Sequence, residues 1–372
     1  MGMQSASAGP VKVLVVDDSV LMQKLMTQIV NATPGFQVIG VAGSAEEGWD
    51  AIQELRPDIL TLDLELPGRH GLKLLARVLK QDPLPVLIVS AFGGPGADNT
   101  IQALELGAID FIEKPDGTTH TLEGFMKHVG TALQRASASR RLLLAARATT
   151  QGAVGARTPI PSRPAISREI CRTAGKAPLI AIGASTGGVP AVQVVMRDLA
   201  FTRLPIVVVQ HMPAGYTAKF AARLAAATGL DVREAADGDR LRPGMAVVAP
   251  GGHRHLEIEE RRGEFVCVLR EGPLVSGHCP SVDVMFHSVA RAAGAQAVGV
   301  LLTGMGRDGA DGLLAMRKAG AETLIQSGET CVVNGMPKAA FEIGAADRAV
   351  ALDQIGGVVA GLIGDRPHQR TA

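Results

Sequence analysis

Two separate series of short, uninterrupted apolar runs, each followed by a segment with helical spacing, constrain this chain more than any other feature. The first opens with Val11-Lys12-Val13-Leu14-Val15-Val16 and continues through strands expected at 36–41, 58–64, 86–90 and 109–113. The second has strands expected at 179–182, 205–209, 244–248 and 298–302, with helices at 189–199, 215–227, 282–293 and 309–319. A strand that is apolar at nearly every position has no face for water. It belongs in a parallel sheet covered by helices on both sides. The fold class is therefore α/β. The N-terminal part is expected to be a five-stranded, doubly wound parallel domain. The C-terminal part is expected to be a second doubly wound domain with a mostly parallel sheet. Residues 232–274 alternate in polarity between Gly/Pro turns and could add antiparallel strands.

The 372 residues suffice for two domains that each bury a core. The expected boundaries are a disordered start at 1–10, a first domain at 11–130, a linker at 131–176 that is helical and then flexible, a second domain at 177–366, and a tail at 367–372. The linker carries eight arginines and one lysine against the single acid Glu169, and its Gly and Pro content offers little to pack. A solvated tether explains it, and so would a basic segment that docks an acidic partner.

Lys plus Arg is 37 and Asp plus Glu is 36, a net charge of +1 that gives no reason to expect nucleic acid as a partner. The four cysteines are scattered with no C-x-x-C pair, so neither disulfides nor a structural zinc is expected. No apolar run approaches the roughly 18 residues that span a bilayer, and the start lacks the apolar core of a secretion signal. The expectation is a cytoplasmic protein that is not inserted in a membrane.

Function in open parallel sheets gathers at the carboxyl ends of the strands. Asp17 and Asp18 end the first strand, and Asp63 falls at the end of the third. A single aspartate there is usually a helix cap. Three converging carboxylates repel one another unless a hard cation such as Mg²⁺ sits among them. Ser90 and Lys114 end the fourth and fifth strands, so a hydroxyl and an ammonium could both reach a phosphoryl group on Asp63. The Lys114-Pro115 bond is a candidate for the cis form.

The second series places Ser185 in Gly183-Ala184-Ser185-Thr186-Gly187-Gly188, directly after a strand and ahead of a helix. The glycines permit a sharp turn, and the helix start offers N–H groups to a developing oxyanion. A serine needs a base, and His211 ends the next strand; Asp308, after a later strand, could orient the imidazole. Rival readings exist. Gly304-Met305-Gly306-Arg307-Asp308-Gly309 matches the dinucleotide-binding pattern but lacks a following βαβ unit with its ribose acid. The loop at Ser185 could bind phosphate but lacks the P-loop ending. His253, His255, His278 and Cys279 suggest a metal, yet no acidic ligand stands at typical spacing, so they read as surface or cleft side chains.

Together these motifs identify a resemblance. From Asp17-Asp18-Ser19 through Asp63-Leu64-Glu65-Leu66-Pro67 to Lys114-Pro115, the first part resembles a response-regulator receiver domain. With Ala184-Ser185-Thr186-Gly187-Gly188, Gln210-His211-Met212, Ala249-Pro250-Gly251-Gly252, Pro280-Ser281-Val282-Asp283 and Leu302-Thr303-Gly304-Met305-Gly306, the whole resembles the chemotaxis protein-glutamate methylesterases. The resemblance implies that Asp63 accepts phosphate from a histidine kinase. It implies that Asp17, Asp18, Asp63 and the Glu65 backbone carbonyl bind Mg²⁺, and that Ser90 and Phe111 form a switch pair. It makes Ser185, His211 and Asp308 a catalytic triad needing no cofactor, with Thr186 and Met305 beside the oxyanion and cleft. The implied substrates are glutamate γ-methyl esters, and glutamines, on chemoreceptor helices, processed by a phosphorylation-activated monomer. A non-catalytic or retargeted phospho-switch adaptor is the alternative. One departure is His70-Gly71, where that family usually has Asp-Gly; altered turn or surface behaviour is expected, with phosphorylation retained.

Overall fold

A computed structural model describes residues 9–67, 70–90, 94–115, 121–151 and 178–363. The chain divides into two compact units, Met1–Val154 and Gly155–Ala372. Residues 1–8 of the expected disordered start, residues 152–176 of the linker and the tail at 367–372 lie outside the described residues.

The first unit alternates strictly: β1 (Val11–Val16), α1 (Val20–Ala32), β2 (Phe36–Ala42), α2 (Ala45–Leu55), β3 (Ile59–Asp63), α3 (Gly71–Gln81), β4 (Val86–Ser90), α4 (Gly94–Leu106), β5 (Asp110–Glu113) and α5 (Leu122–Gln151). The sheet order is β2-β1-β3-β4-β5 with every pair parallel. Every residue of β3 and β4 is buried, as a sheet covered on both faces requires. Local chemistry starts the helices: the Ser19 hydroxyl caps α1 through the Met22 N–H, and the Ser44 hydroxyl caps α2 through the Glu47 N–H. Gly71 begins α3 so close under β3 that a Cβ would lie 2.6 Å from the Asp63 carbonyl oxygen, which excludes any larger residue. The preceding His70 makes no side-chain cap; it pairs instead with Glu46 at 3.3 Å.

The second unit runs β6 (Leu179–Ala184), α6 (Gly188–Leu199), β7 (Ile206–Gln210), α7 (Thr217–Thr228), β8 (Asp231–Glu234), β9 (Met245–Val248), β10 (Arg254–Arg261), β11 (Glu264–Glu271), α8 (Val282–Ala292), β12 (Ala297–Leu301), α9 (Ala310–Lys318), β13 (Glu322–Gln326), α10 (Met336–Glu342), β14 (Arg348–Val350) and α11 (Leu352–Leu362). Seven strands form one parallel sheet in the order β14-β13-β12-β6-β7-β9-β8. The expected antiparallel contribution is confined to the separate β10–β11 ribbon, which ties to α8 where the Ile258 N–H meets the Ser288 hydroxyl. The strand order reverses at β6, between β12 and β7, and this is where an open α/β sheet leaves a crevice.

One local expectation fails. Among the described residues the cis peptide bond is Cys279–Pro280, and Lys114–Pro115 is not cis. Lys114 needs no such device: its backbone N–H bonds the Ser90 carbonyl, so the β4–β5 ladder itself carries the side chain to the sheet edge.

Candidate active site

In the first unit, β1 and β3 deliver Asp17 and Asp63 to the sheet edge, 2% and 1% exposed. Each turns one oxygen back to its own loop: Asp17 Oδ1 accepts the Ser19 N–H, and Asp63 Oδ1 the Glu65 N–H, both at 2.9 Å. The other oxygens share one cation. Lys114 Nζ lies 2.6 Å from Asp63 Oδ2 and 2.9 Å from Asp17 Oδ2. Burial opposes the charge on that ammonium, but the two aspartates outweigh it and hold the Lys114 pKa above its usual value. At Asp17 the balance tips the other way: desolvation exceeds the help of Lys114 and Ser19, so its carboxyl is pushed up. Ligand atoms of Asp17, Asp18 and Asp63 fall within 4.8 Å of one another. An under-compensated cluster of hard oxygens fits a hard divalent cation. Ser90 is fully buried, and its hydroxyl accepts a hydrogen bond from Thr100 on α4 at 3.1 Å. Phe111 is half-buried on β5.

In the second unit, Ser185 and His211 follow adjacent strand ends: Ala184 pairs with Gln210 in the sheet, and the His211 N–H bonds the Ala184 carbonyl at 3.1 Å. The turn at Ser185 depends on Gly187, which is left-handed at φ 75° and packs so tightly on Val332 that a Cβ would collide. Gln210 clamps both neighbours, since its amide donates to the Ser185 carbonyl at 2.9 Å and to the His211 carbonyl at 3.3 Å. Thr186 is buried, and its carbonyl accepts the Thr303 hydroxyl; Met305 is half-buried in the loop after β12.

Asp308 is 1% exposed and accepts four donors. His211 Nε2 lies 2.8 Å from Oδ2, the Ser281 hydroxyl 2.7 Å from Oδ1, and the N–H groups of Val282 and Asp283 donate at 2.7 and 3.1 Å. Three of these belong to the start of α8, so the carboxylate sits on a helix N-terminus that favours negative charge. Burial works against ionisation, but His211, Ser281 and Val282 outweigh it and bring the Asp308 pKa down to about 2. The neighbouring Asp283 moves oppositely, pushed up to about 6 by burial despite the Gly312 N–H, with the Asp308 charge adding to the rise.

The carboxylate requires the His211 proton to be on Nε2. Nδ1 then carries a lone pair, and it is buried with no hydrogen-bond partner. This reverses the usual division, in which Nδ1 faces the carboxylate. The ring of His278 stacks on His211 with centroids 3.7 Å apart and planes 10° apart. Such a site can take a proton from a neighbouring hydroxyl and hold the resulting imidazolium.

A family described as CheB methylesterase matches residues 180–359, and one described as response regulator receiver domain matches residues 13–123. A protein-glutamate methylesterase/protein-glutamine glutaminase of Caulobacter vibrioides is 46% identical, covering 93% of this chain and 96% of its own. The chain belongs to that family. A relative of the same name from Escherichia coli K12 is 41% identical over 93% of this chain and 95% of its own. The crystal structure of the Thermotoga maritima CheB methylesterase catalytic domain aligns with 51% of this chain and 98% of its own at 35% identity, with a TM-score of 0.48. No described helix is long and apolar enough to cross a membrane.

The histidines outside the expected triad do not share one fate. His253 is exposed, as a surface side chain should be, but His255 is buried, because its half of β10 turns inward against α8. Ser281, Gln210 and Thr303 carried no sequence signal of their own beyond lying inside or beside the motifs.

Proposed function

We propose that this chain is a phosphorylation-activated serine hydrolase that removes glutamate γ-methyl esters, and deamidates glutamines, on cytoplasmic helices of chemoreceptors. The observation that carries the reading is His211, whose Nε2 is bonded to Asp308, whose Nδ1 is buried and unpartnered, and whose backbone N–H is tied to Ala184, the residue before Ser185. Ser185 Oγ attacks the ester carbonyl as its proton passes to Nδ1. Asp308 stabilises the imidazolium, and Thr186 and Met305 border the oxyanion, while the Gly188 N–H braces the turn by bonding the Ser185 carbonyl. Collapse expels methanol, which takes the proton from His211, and leaves an acyl-serine. Water, deprotonated by the same imidazole, then releases glutamate and restores Ser185. With glutamine the leaving group is ammonia.

Residues 11–130 act as the phosphoacceptor and 177–366 as the hydrolase in this reading. Asp63 Oδ2 attacks the phosphoryl group of a kinase phosphohistidine. Asp17, Asp18, Asp63 and the Glu65 carbonyl would hold Mg²⁺, which neutralises the charge gathered there. Lys114 leaves its bridging position to pair with the new phosphoryl oxygens, and Ser90 exchanges Thr100 for the same group, with Phe111 following. Methanol release from methylated receptor membranes tests the reading. Release that depends on Ser185 supports it, and release by Ser185→Ala at the parent rate ends it.

A further inference from the structure

A buried imidazole stands outside this chemistry. His255 is 4% exposed, and both of its ring nitrogens are used. Nε2 lies 2.9 Å from the Pro273 carbonyl oxygen, and the Ser281 N–H donates to Nδ1 at 3.1 Å. A carbonyl can only accept and an amide N–H can only donate, so the ring is neutral with its proton on Nε2. His255 thereby bridges the two ends of segment 273–281. Within it, Val275 and His278 exchange backbone hydrogen bonds at 3.0 and 2.9 Å across Ser276 and Gly277. Those two residues have φ of 52° and 83°, the left-handed pair that a tight hairpin turn requires.

Both products of this clasp touch the reacting groups. Ser281, fully buried, gives its hydroxyl to Asp308, and the hairpin lays the His278 ring flat on His211. We propose that His255 is a positioning residue of the hydrolase: by tying Pro273 to Ser281 it holds the Ser281 hydroxyl on Asp308 and the His278 ring on His211. The acid and the base are then constrained from one point. Asp308 keeps the oxygen that faces Nε2, and the imidazole cannot tip out of the plane in which Nδ1 is free for the Ser185 proton. The inference rests on the serine-hydrolase reading above, deepens it, and does not depend on the identity of the natural ester.

The test uses the full chain and two readouts. One is the rate at which a fluorophosphonate modifies Ser185, forming the Oγ–P bond with loss of fluoride; the other is kcat and KM for methanol release. Hydrogen bonds to ionised groups commonly carry a factor of ten to a hundred, so His255→Leu should slow both modification and kcat about tenfold or more, with KM within about twofold. Glutamine offers an acceptor and a donor on one planar group, so His255→Gln should return both rates to within about threefold of the parent. Parent-like rates in the Leu variant overturn the proposal. So does a parallel loss in both variants that merely follows their melting temperatures. If the Leu variant does not fold, Ser281→Ala decides, because it keeps the backbone N–H for His255 but removes the arm to Asp308. A loss of about fivefold or more in both rates is then expected, and unchanged rates would refute the clasp. A parent whose Ser185 reacts with the probe but releases no methanol would sink the methylesterase reading alone.

Discussion

The two units present buried carboxylates at the carboxyl ends of parallel strands, yet they hold them by opposite means. Asp308 is gripped by a helix start: two backbone N–H groups and a capping hydroxyl join His211, and the two N–H groups cannot leave without unravelling the first turn of α8. Asp17 and Asp63 each keep one oxygen on a loop N–H, but their other oxygens share one ammonium on a flexible four-carbon stem. The consequence shows in ionisation. Asp308 is held down to about 2 against the cost of burial, whereas burial wins at Asp17 and pushes its carboxyl up. Fixed donors suit an acid that must stay charged through every turnover. An exchangeable, incomplete partner suits a pocket that must admit a cation and then a phosphoryl group.

The largest expected effects lie on the fixed side. Ser185→Ala, His211→Ala and Asp308→Asn should each lower kcat about a thousandfold or more, and double variants should be scarcely worse than the worst single one, because triad members act as a unit. Single and double mutant kinetics on folded chains check this; additive losses would dissolve the unit.

On the exchangeable side, Asp63→Asn should abolish phosphoryl incorporation, and chelation of Mg²⁺ should do the same to the parent. Labelling from a small phosphodonor reads both. Equal labelling of the variant would move the acceptor elsewhere and remove the contrast.

Asp283 sharpens the comparison, since it lies beside Asp308 but lacks its full set of donors. Its folded pKa of about 6 lies above the ordinary aspartate value of 3.8, so the folded chain binds this proton more tightly than the unfolded one. Its contribution is fully present below pH 4 and is lost as pH rises towards 6 and beyond, at about 1.4 kcal/mol per pH unit inside that window. Asp283→Asn should therefore match the parent near pH 4 and exceed it at pH 7.5 by roughly 1–3 kcal/mol. Denaturant titrations at the two pH values decide; equal stability at both would show that the carboxylate is better compensated than its burial implies.

The smallest effect belongs to His70→Asp. The His70–Glu46 pair spans exposed side chains, so stability should move by no more than about 0.5 kcal/mol, with Asp63 labelling unchanged.

Much of this was legible in the sequence where one physical signal sufficed. Continuous apolar runs marked β1, β3, β4, β6, β7, β9 and β12, and the residues just past them marked the two sites. β13 and β14 were missed because Glu322, Thr323 and Gln326 interrupt the first and the second is only three residues long. The fully parallel seven-stranded sheet was half seen for the same reason. The cradle of Asp308 was invisible as a cradle, since its donors are backbone groups of a helix start some 25 residues earlier. His255 read as a surface or cleft side chain because no acidic ligand stands at metal-binding spacing; only the packed ribbon shows that it is buried.

The most direct test of the central claim is methanol release from methylated receptor by the parent, Asp63→Asn and Ser185→Ala, each with and without Mg²⁺ and a small phosphodonor. A low basal rate should rise about tenfold or more in the parent alone, a bias of a kcal/mol or so between two states. Asp63→Asn should stay at the basal rate, and Ser185→Ala should release nothing under either condition. Stimulation of Asp63→Asn to the parent level, or release by Ser185→Ala at the parent rate, would contradict it.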